Sequence, residues 1–157
     1  MTDQTIKNLK SIKDSIENFN NISKPNIICV SKTFPLITLK PLIDSGHHHF
    51  GENKVQEAIE KWSEILKINP SLKIHMIGKL QSNKAKKAVG IFSYIHSLDN
   101  IKLADVCKKS EEELNKKLSY FIQVNIGEES QKSGISTKEV KSFLKYCSYE
   151  KKLNIIG

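Results

Sequence analysis

An alternation of short apolar runs with helix-like stretches constrains this chain more than any other feature. The runs lie at about 26–32, 48–50, 72–77, 93–96, 118–126 and 153–157. Helices are expected between them, at about 39–45, 53–68, 83–90, 101–116 and 136–148. Thr38 can cap the first, with Pro41 in its first turn and Gly46 at its end. Val55, Ile59, Trp62 and Leu66 give the second an apolar face, and Asn69-Pro70 stops it. Ser136-Thr-Lys-Glu139 reads as a capping box for the last. A further helix over 5–19, striped by Ile6, Leu9, Ile12, Ile16 and Phe19, precedes the first run. Strands alternating with helices imply an α/β fold, with a parallel sheet and right-handed crossovers. An open doubly wound sheet can finish with six strands. A (β/α)₈ barrel needs eight strands and about 250 residues, rarely under about 200. Periodicity leaves both open for a chain of 157 residues.

Composition narrows the function classes. Hydrophobic residues are 38% and charged residues 27%, as in a globular protein. No run approaches the ~20 apolar residues of a membrane span, so no membrane partner is expected. The N-terminus lacks the apolar core of a signal peptide, which points to a cytoplasmic protein. Cys29, Cys107 and Cys147 are far apart and read as reduced, packed thiols. The net charge of +8 suggests nucleic acid, but every basic residue is a lysine and the lysines are scattered. Without arginine, bidentate readout of guanine and phosphate is lost, so no nucleic-acid partner is expected.

Candidate chemistry gathers at the strand ends. In Asn26-Ile-Ile-Cys-Val-Ser-Lys32-Thr33, period-2 geometry puts Ile28, Val30 and Lys32 on one side. Desolvation there would favour a neutral amine suited to Schiff-base chemistry; the competing reading is a lysine snorkelling to solvent. Polar residues also follow the later runs: Gly51-Glu52-Asn53, the stretch from Gly78 to Lys84, His96-Ser97, and Asn125 with the stretch from Glu129 to Gly134. Both architectures build their sites on that edge. No G-x-G-x-x-G or Walker loop is present. His47-His48-His49 lacks a spaced partner to complete a metal site. His75 and His96 read as hydrogen-bonded core or rim histidines.

In combination these pieces resemble one family. They are Val30-Ser-Lys32-Thr33, Phe50-Gly-Glu-Asn53 with Val55-Gln-Glu57, His75 with Ile77-Gly78 and Leu80-Gln-Ser-Asn-Lys84, and Val124-Asn-Ile126 with Glu129, Lys132 and Ser133-Gly-Ile135. In this order they are similar to the pyridoxal phosphate homeostasis proteins, relatives of the alanine racemase N-terminal barrel. The resemblance implies a (β/α)₈ barrel that binds pyridoxal 5′-phosphate (PLP) as an aldimine on Lys32. Asn53, His75, Ser82 and Asn125 are then expected to line the cofactor cavity. It implies intracellular PLP homeostasis without robust turnover, with PLP-accepting apoenzymes as partners and a monomer at full length. The alternative is a racemase-like PLP enzyme, which needs a second acid/base. The family's strands seven and eight, with their phosphate-binding loops and distal arginine, have no counterpart here. The chain is therefore expected to be one partial domain, about six of eight strands, a fragment or a natural truncation of a full-length protein.

Overall fold

The computed structural model describes residues 2–18, 25–127, 129 and 131–157. Six parallel strands form one sheet: β1 (Cys29–Val30), β2 (His49–Glu52), β3 (Lys73–Met76), β4 (Tyr94–Leu98), β5 (Ser119–Ile122) and β8 (Asn154–Ile155). The helices are α1 (Thr2–Glu17), α2 (Leu36–Asp44), α3 (Val55–Ile68), α4 (Ala85–Ile91), α5 (Ile101–Leu114) and α6 (Val140–Lys145). A short parallel pair, β6 (Val124–Asn125) with β7 (Ile135–Ser136), stands apart from the main sheet.

The strand order decides between the two architectures. It runs β1-β2-β3-β4-β5-β8, always adding the next strand on the same side. A doubly wound sheet reverses direction partway and creates a switch point. Sequential addition is the progression of a (β/α) barrel, here with six strands.

One sheet face is packed. Phe50, Ile74, Met76, Ile95 and Tyr120 are buried on it, and the Trp62 ring of α3 lies 4.9 Å from that of Phe50. Alternate residues, among them Val30, His49, His75, Tyr94 and His96, occupy the opposite face. Burial pushes the Cys107 thiol up to about 12 and Cys147 up to about 11, and all three cysteines are unpaired.

Several local expectations are corrected. The last apolar position of the first helix, Phe19, lies outside the described residues, and Ile6 and Ile12 are exposed. Helix α2 starts three residues earlier than Thr38 would place it, with Pro35 at the cap and Pro41 inside the helix. Ser136 does not cap α6; it lies in β7 and its hydroxyl donates to the Glu139 carboxylate at 2.6 Å. Gly51 and Glu52, read as loop, belong to β2, and β4 runs past His96 to include Ser97.

Candidate functional site

The end of β1 is held from behind. The Ser31 backbone N–H donates to the Gly51 carbonyl at 2.9 Å, and its hydroxyl donates to Glu52 Oε1 at 2.7 Å. Glu52 is fully buried, and the same oxygen accepts from Lys61 Nζ at 2.9 Å and Trp62 Nε1 at 3.0 Å, both from α3. Lys61 also donates to the Ser31 carbonyl at 2.8 Å. A carboxylate taken out of water requires this kind of pairing.

The chain then turns sharply. The Phe34 N–H donates to the Ser31 carbonyl at 3.2 Å, and Thr33 sits at φ +68°. A β-branched residue rarely adopts that left-handed conformation, which costs on the order of 1–3 kcal/mol and persists only where the surroundings impose it. The Thr33 hydroxyl donates to the Lys32 carbonyl at 2.5 Å. Lys32 thus projects from a fixed tip. It is exposed, and Val30 behind it is 49% exposed. The expectation that Lys32 follows two core residues into a desolvated setting is therefore corrected: at β1 its face of the sheet is open. Its ammonium has no ion pair or hydrogen bond among the described residues.

Register places the other candidates. Val30 pairs with Gly51 and Glu52 with Met76, so Lys32, Asn53 and Ile77 stand at one level just past the paired residues. Asn53 Oδ1 is buried with no hydrogen-bond partner among the described residues. A Cβ on Gly78 would lie 2.5 Å from the Asn53 carbonyl oxygen, so the segments following β2 and β3 touch through backbone. Ser82 opens a single 3₁₀ turn, Ser82–Lys84, that leads into α4. Asn125 stands in β6, where its amide donates to the Glu129 carbonyl at 2.8 Å; it closes its own loop.

His75 sits one level lower, inside β3, and is 4% exposed. His49 Nδ1 lies 2.9 Å from His75 Nε2, and His75 Nδ1 lies 2.9 Å from His96 Nε2. The Tyr94 ring stacks on His75 at 4.2 Å and the Phe121 ring on His96 at 4.4 Å. Burial, then the charges that His96 and His49 would carry, push His75 down to about 3. Burial also lowers His49 and His96.

The strand-end positions Lys32, Asn53, Ser82 and Asn125 therefore share the C-terminal side of the sheet, while His75 approaches from within it. Sequence reasoning missed the Glu52 clamp, the Thr33 turn and the joined histidines, and it placed Ser97 past its strand, whereas Ser97 lies in β4 with a buried hydroxyl that has no partner among the described residues. The period-2 rule could have placed His75 and His96 on one face, since both sit in strands at positions of equal parity in register.

Comparison with known proteins decides the family. Residues 7–157 match the alanine racemase N-terminal domain. Over 155 residues the chain is 37% identical to the pyridoxal phosphate homeostasis protein of Buchnera aphidicola, covering 96% of this chain and 67% of that protein. The chain belongs to the pyridoxal phosphate homeostasis protein family. It spans 62% of the family member from Pasteurella multocida, to which it is 35% identical. PipY of Synechococcus elongatus, with PLP bound, superposes with a TM-score of 0.75 at 34% identity, over 93% of this chain and 68% of PipY. This homeostasis-family chain also shares the alanine racemase fold: the Clostridium difficile enzyme superposes with a TM-score of 0.64 at 16% identity, over 96% of this chain and 38% of the enzyme.

Proposed function

We propose that this chain binds PLP covalently through Lys32 and serves intracellular PLP homeostasis, holding the cofactor rather than turning over a substrate with it. The observation that carries this reading is the Lys32 tip: an unpaired amine on a turn fixed by Ser31, Glu52 and Lys61. The cofactor supplies an aldehyde, which a lysine amine takes up as an imine with loss of water. The donor set fits such a ligand. Asn53 Oδ1 is a buried acceptor with nothing to accept, and Ser82 stands at the start of a turn with its hydroxyl uncommitted among the described residues. Asn125 contributes by shaping the loop after β6, and His75 stands behind the site, both ring nitrogens engaged.

PLP held by PipY supports the ligand, and the names of the Buchnera and Pasteurella relatives support the role. The racemase reading calls for a second acid/base, commonly a tyrosine. Here the Tyr120 hydroxyl donates to buried Glu111 at 3.0 Å and that of Tyr146 to Asp105 at 2.6 Å; Tyr94 stacks its ring on His75, and Tyr149 is exposed in the segment after α6. Those engagements favour a holding role. Incubation with PLP, borohydride reduction and peptide mass mapping is expected to put the adduct on Lys32. An adduct mainly on Lys84 or Lys132 would sink the assignment. Sustained racemisation of an amino acid, abolished by Lys32→Ala, would restore the enzyme reading.

A further inference from the structure

We propose that His49, His75 and His96 form a proton relay along the sheet face that carries Val30, from the N-terminal rim at His49 to the level of Lys32. Its destination rests on the Lys32 reading above; its existence rests on the histidines alone.

The geometry is that of a wire. Two N···N contacts of 2.9 Å join three imidazoles through the two nitrogens of the central ring. The outer nitrogens, His49 Nε2 and His96 Nδ1, have no hydrogen-bond partner among the described residues, so both ends are open. A neutral imidazole carries one N–H and one lone pair, so neighbouring rings must share one tautomer sense. Only two arrangements satisfy both contacts, and they are interconverted by passing one proton through. Tyr94 and Phe121 stack on the second and third rings and fix their planes.

The step balances without a co-reactant other than water. With every ring protonated at Nδ1, a proton from solvent adds to His49 Nε2. His49 then gives its Nδ1 proton to His75 Nε2. His75 gives its Nδ1 proton to His96 Nε2, and His96 gives its Nδ1 proton to solvent water at the level of Lys32. One proton enters, one leaves, and each ring ends protonated at Nε2. Register sets His96 opposite Ile77, the level of Lys32 and Asn53. Imine formation expels water and so draws on a proton donor at that level.

The surroundings favour passage over storage. His48 and Lys73 both disfavour a resting charge on His49, and His75 feels its two histidine neighbours. Tyr94 of β4 and Phe121 of β5 supply the ring contacts on either side. With His75 at about 3, roughly one ring in 10⁴ holds the extra proton at pH 7.

A static trio holds one tautomer arrangement, whereas a relay interconverts both, so the three rings should exchange together between Nδ1–H and Nε2–H forms at a single rate. In the ligand-free chain labelled with ¹⁵N-histidine, NMR should show coupling across both N···N contacts. His49→Phe should shift the tautomer population of His96, which His49 does not touch. Absent coupling, or an unchanged His96 tautomer, would overturn the relay. If His49→Phe does not fold, His96→Phe read at His49 makes the same test from the other end. A second arm follows the rate at which added PLP becomes reducible by borohydride at Lys32. His49→Phe should slow it by about 10-fold or more, and imidazole should restore it. An unchanged rate would overturn the destination. No adduct on Lys32 even in the wild type would sink the Lys32 reading, while the tautomer arm still decides the relay.

Discussion

Glu52 is the residue on which the site geometry turns, and a sequence reading has little chance of finding it. A glutamate after Phe50-Gly51 looks like the start of a polar loop, yet its side chain is fully buried behind β1. Only the arrival of Lys61 and Trp62 from α3 makes that burial tolerable, and this is a tertiary fact. Removing one partner of a buried pair leaves the other charge stranded, at a cost of about 3–5 kcal/mol. Glu52→Ala is therefore expected to lower stability by that amount in urea unfolding. The double replacement Glu52→Met with Lys61→Met should recover most of it; no recovery would mean that the pair is not the cause. His75 gives a pH dependence with a definite sign. Its folded value, about 3, lies below its ordinary 6.5, so the unfolded chain binds more protons between those values. Stability is full above about pH 6.5 and is lost as pH falls toward 3. The urea midpoint should drop between pH 7 and 4, and His75→Phe should flatten that slope. Lowered His49 and His96 act in the same direction.

Elements were more legible than residues, and types more legible than bounds. The spacing of Val55, Ile59, Trp62 and Leu66 gave α3, because a helix must bury one stripe whatever it meets. Asn100 caps α5 by accepting the Leu103 N–H at 2.9 Å, a local signal that the sequence reading left unused. Strand ends were misjudged because pairing stops where the neighbouring strand departs: β1 pairs at two residues of a longer apolar run. Cap signals failed where a side chain found another partner, as Ser136 did in Glu139. Contacts between segments are invisible to periodicity, and Gly78 is the clearest case. Its ideal Cβ would lie 2.5 Å from the Asn53 carbonyl and 2.8 Å from its Cα, so backbone must move. Gly78→Ala should cost on the order of 1–3 kcal/mol, as overpacking typically does. It should also shift the Asn53 amide resonances and, on the Lys32 reading, weaken PLP retention. A variant with unchanged stability and unchanged Asn53 resonances would show that the two segments separate freely.

At the scale of the whole molecule, the sheet adds strands in sequence, and its two ends stay apart among the described residues. β1 pairs only with β2, and β8 only with β5. Each therefore has an outer row of unpaired N–H and C=O groups, which invites pairing with another chain. Apolar side chains accompany them: Phe34 after β1 is 51% exposed and Ile156 after β8 is 49% exposed. Two effects oppose association. Each edge strand is only two residues long, so it offers few hydrogen bonds. The net charge of +8 makes copies repel one another. Repulsion between exposed charges is screened over about 10 Å at 0.1 M salt and about 3 Å at 1 M, whereas apolar contact is not. The balance should therefore shift with salt: separate chains at low ionic strength, and reversible, concentration-dependent association as salt rises. Ile156→Lys places a charge on the β8 edge and should suppress that association, while a lysine at exposed Ile68, on the final turn of α3, should not. Sedimentation velocity across a salt series makes the comparison directly. A coefficient that stays constant with salt, or that changes equally in both variants, would mean that the edges are not the associating surface.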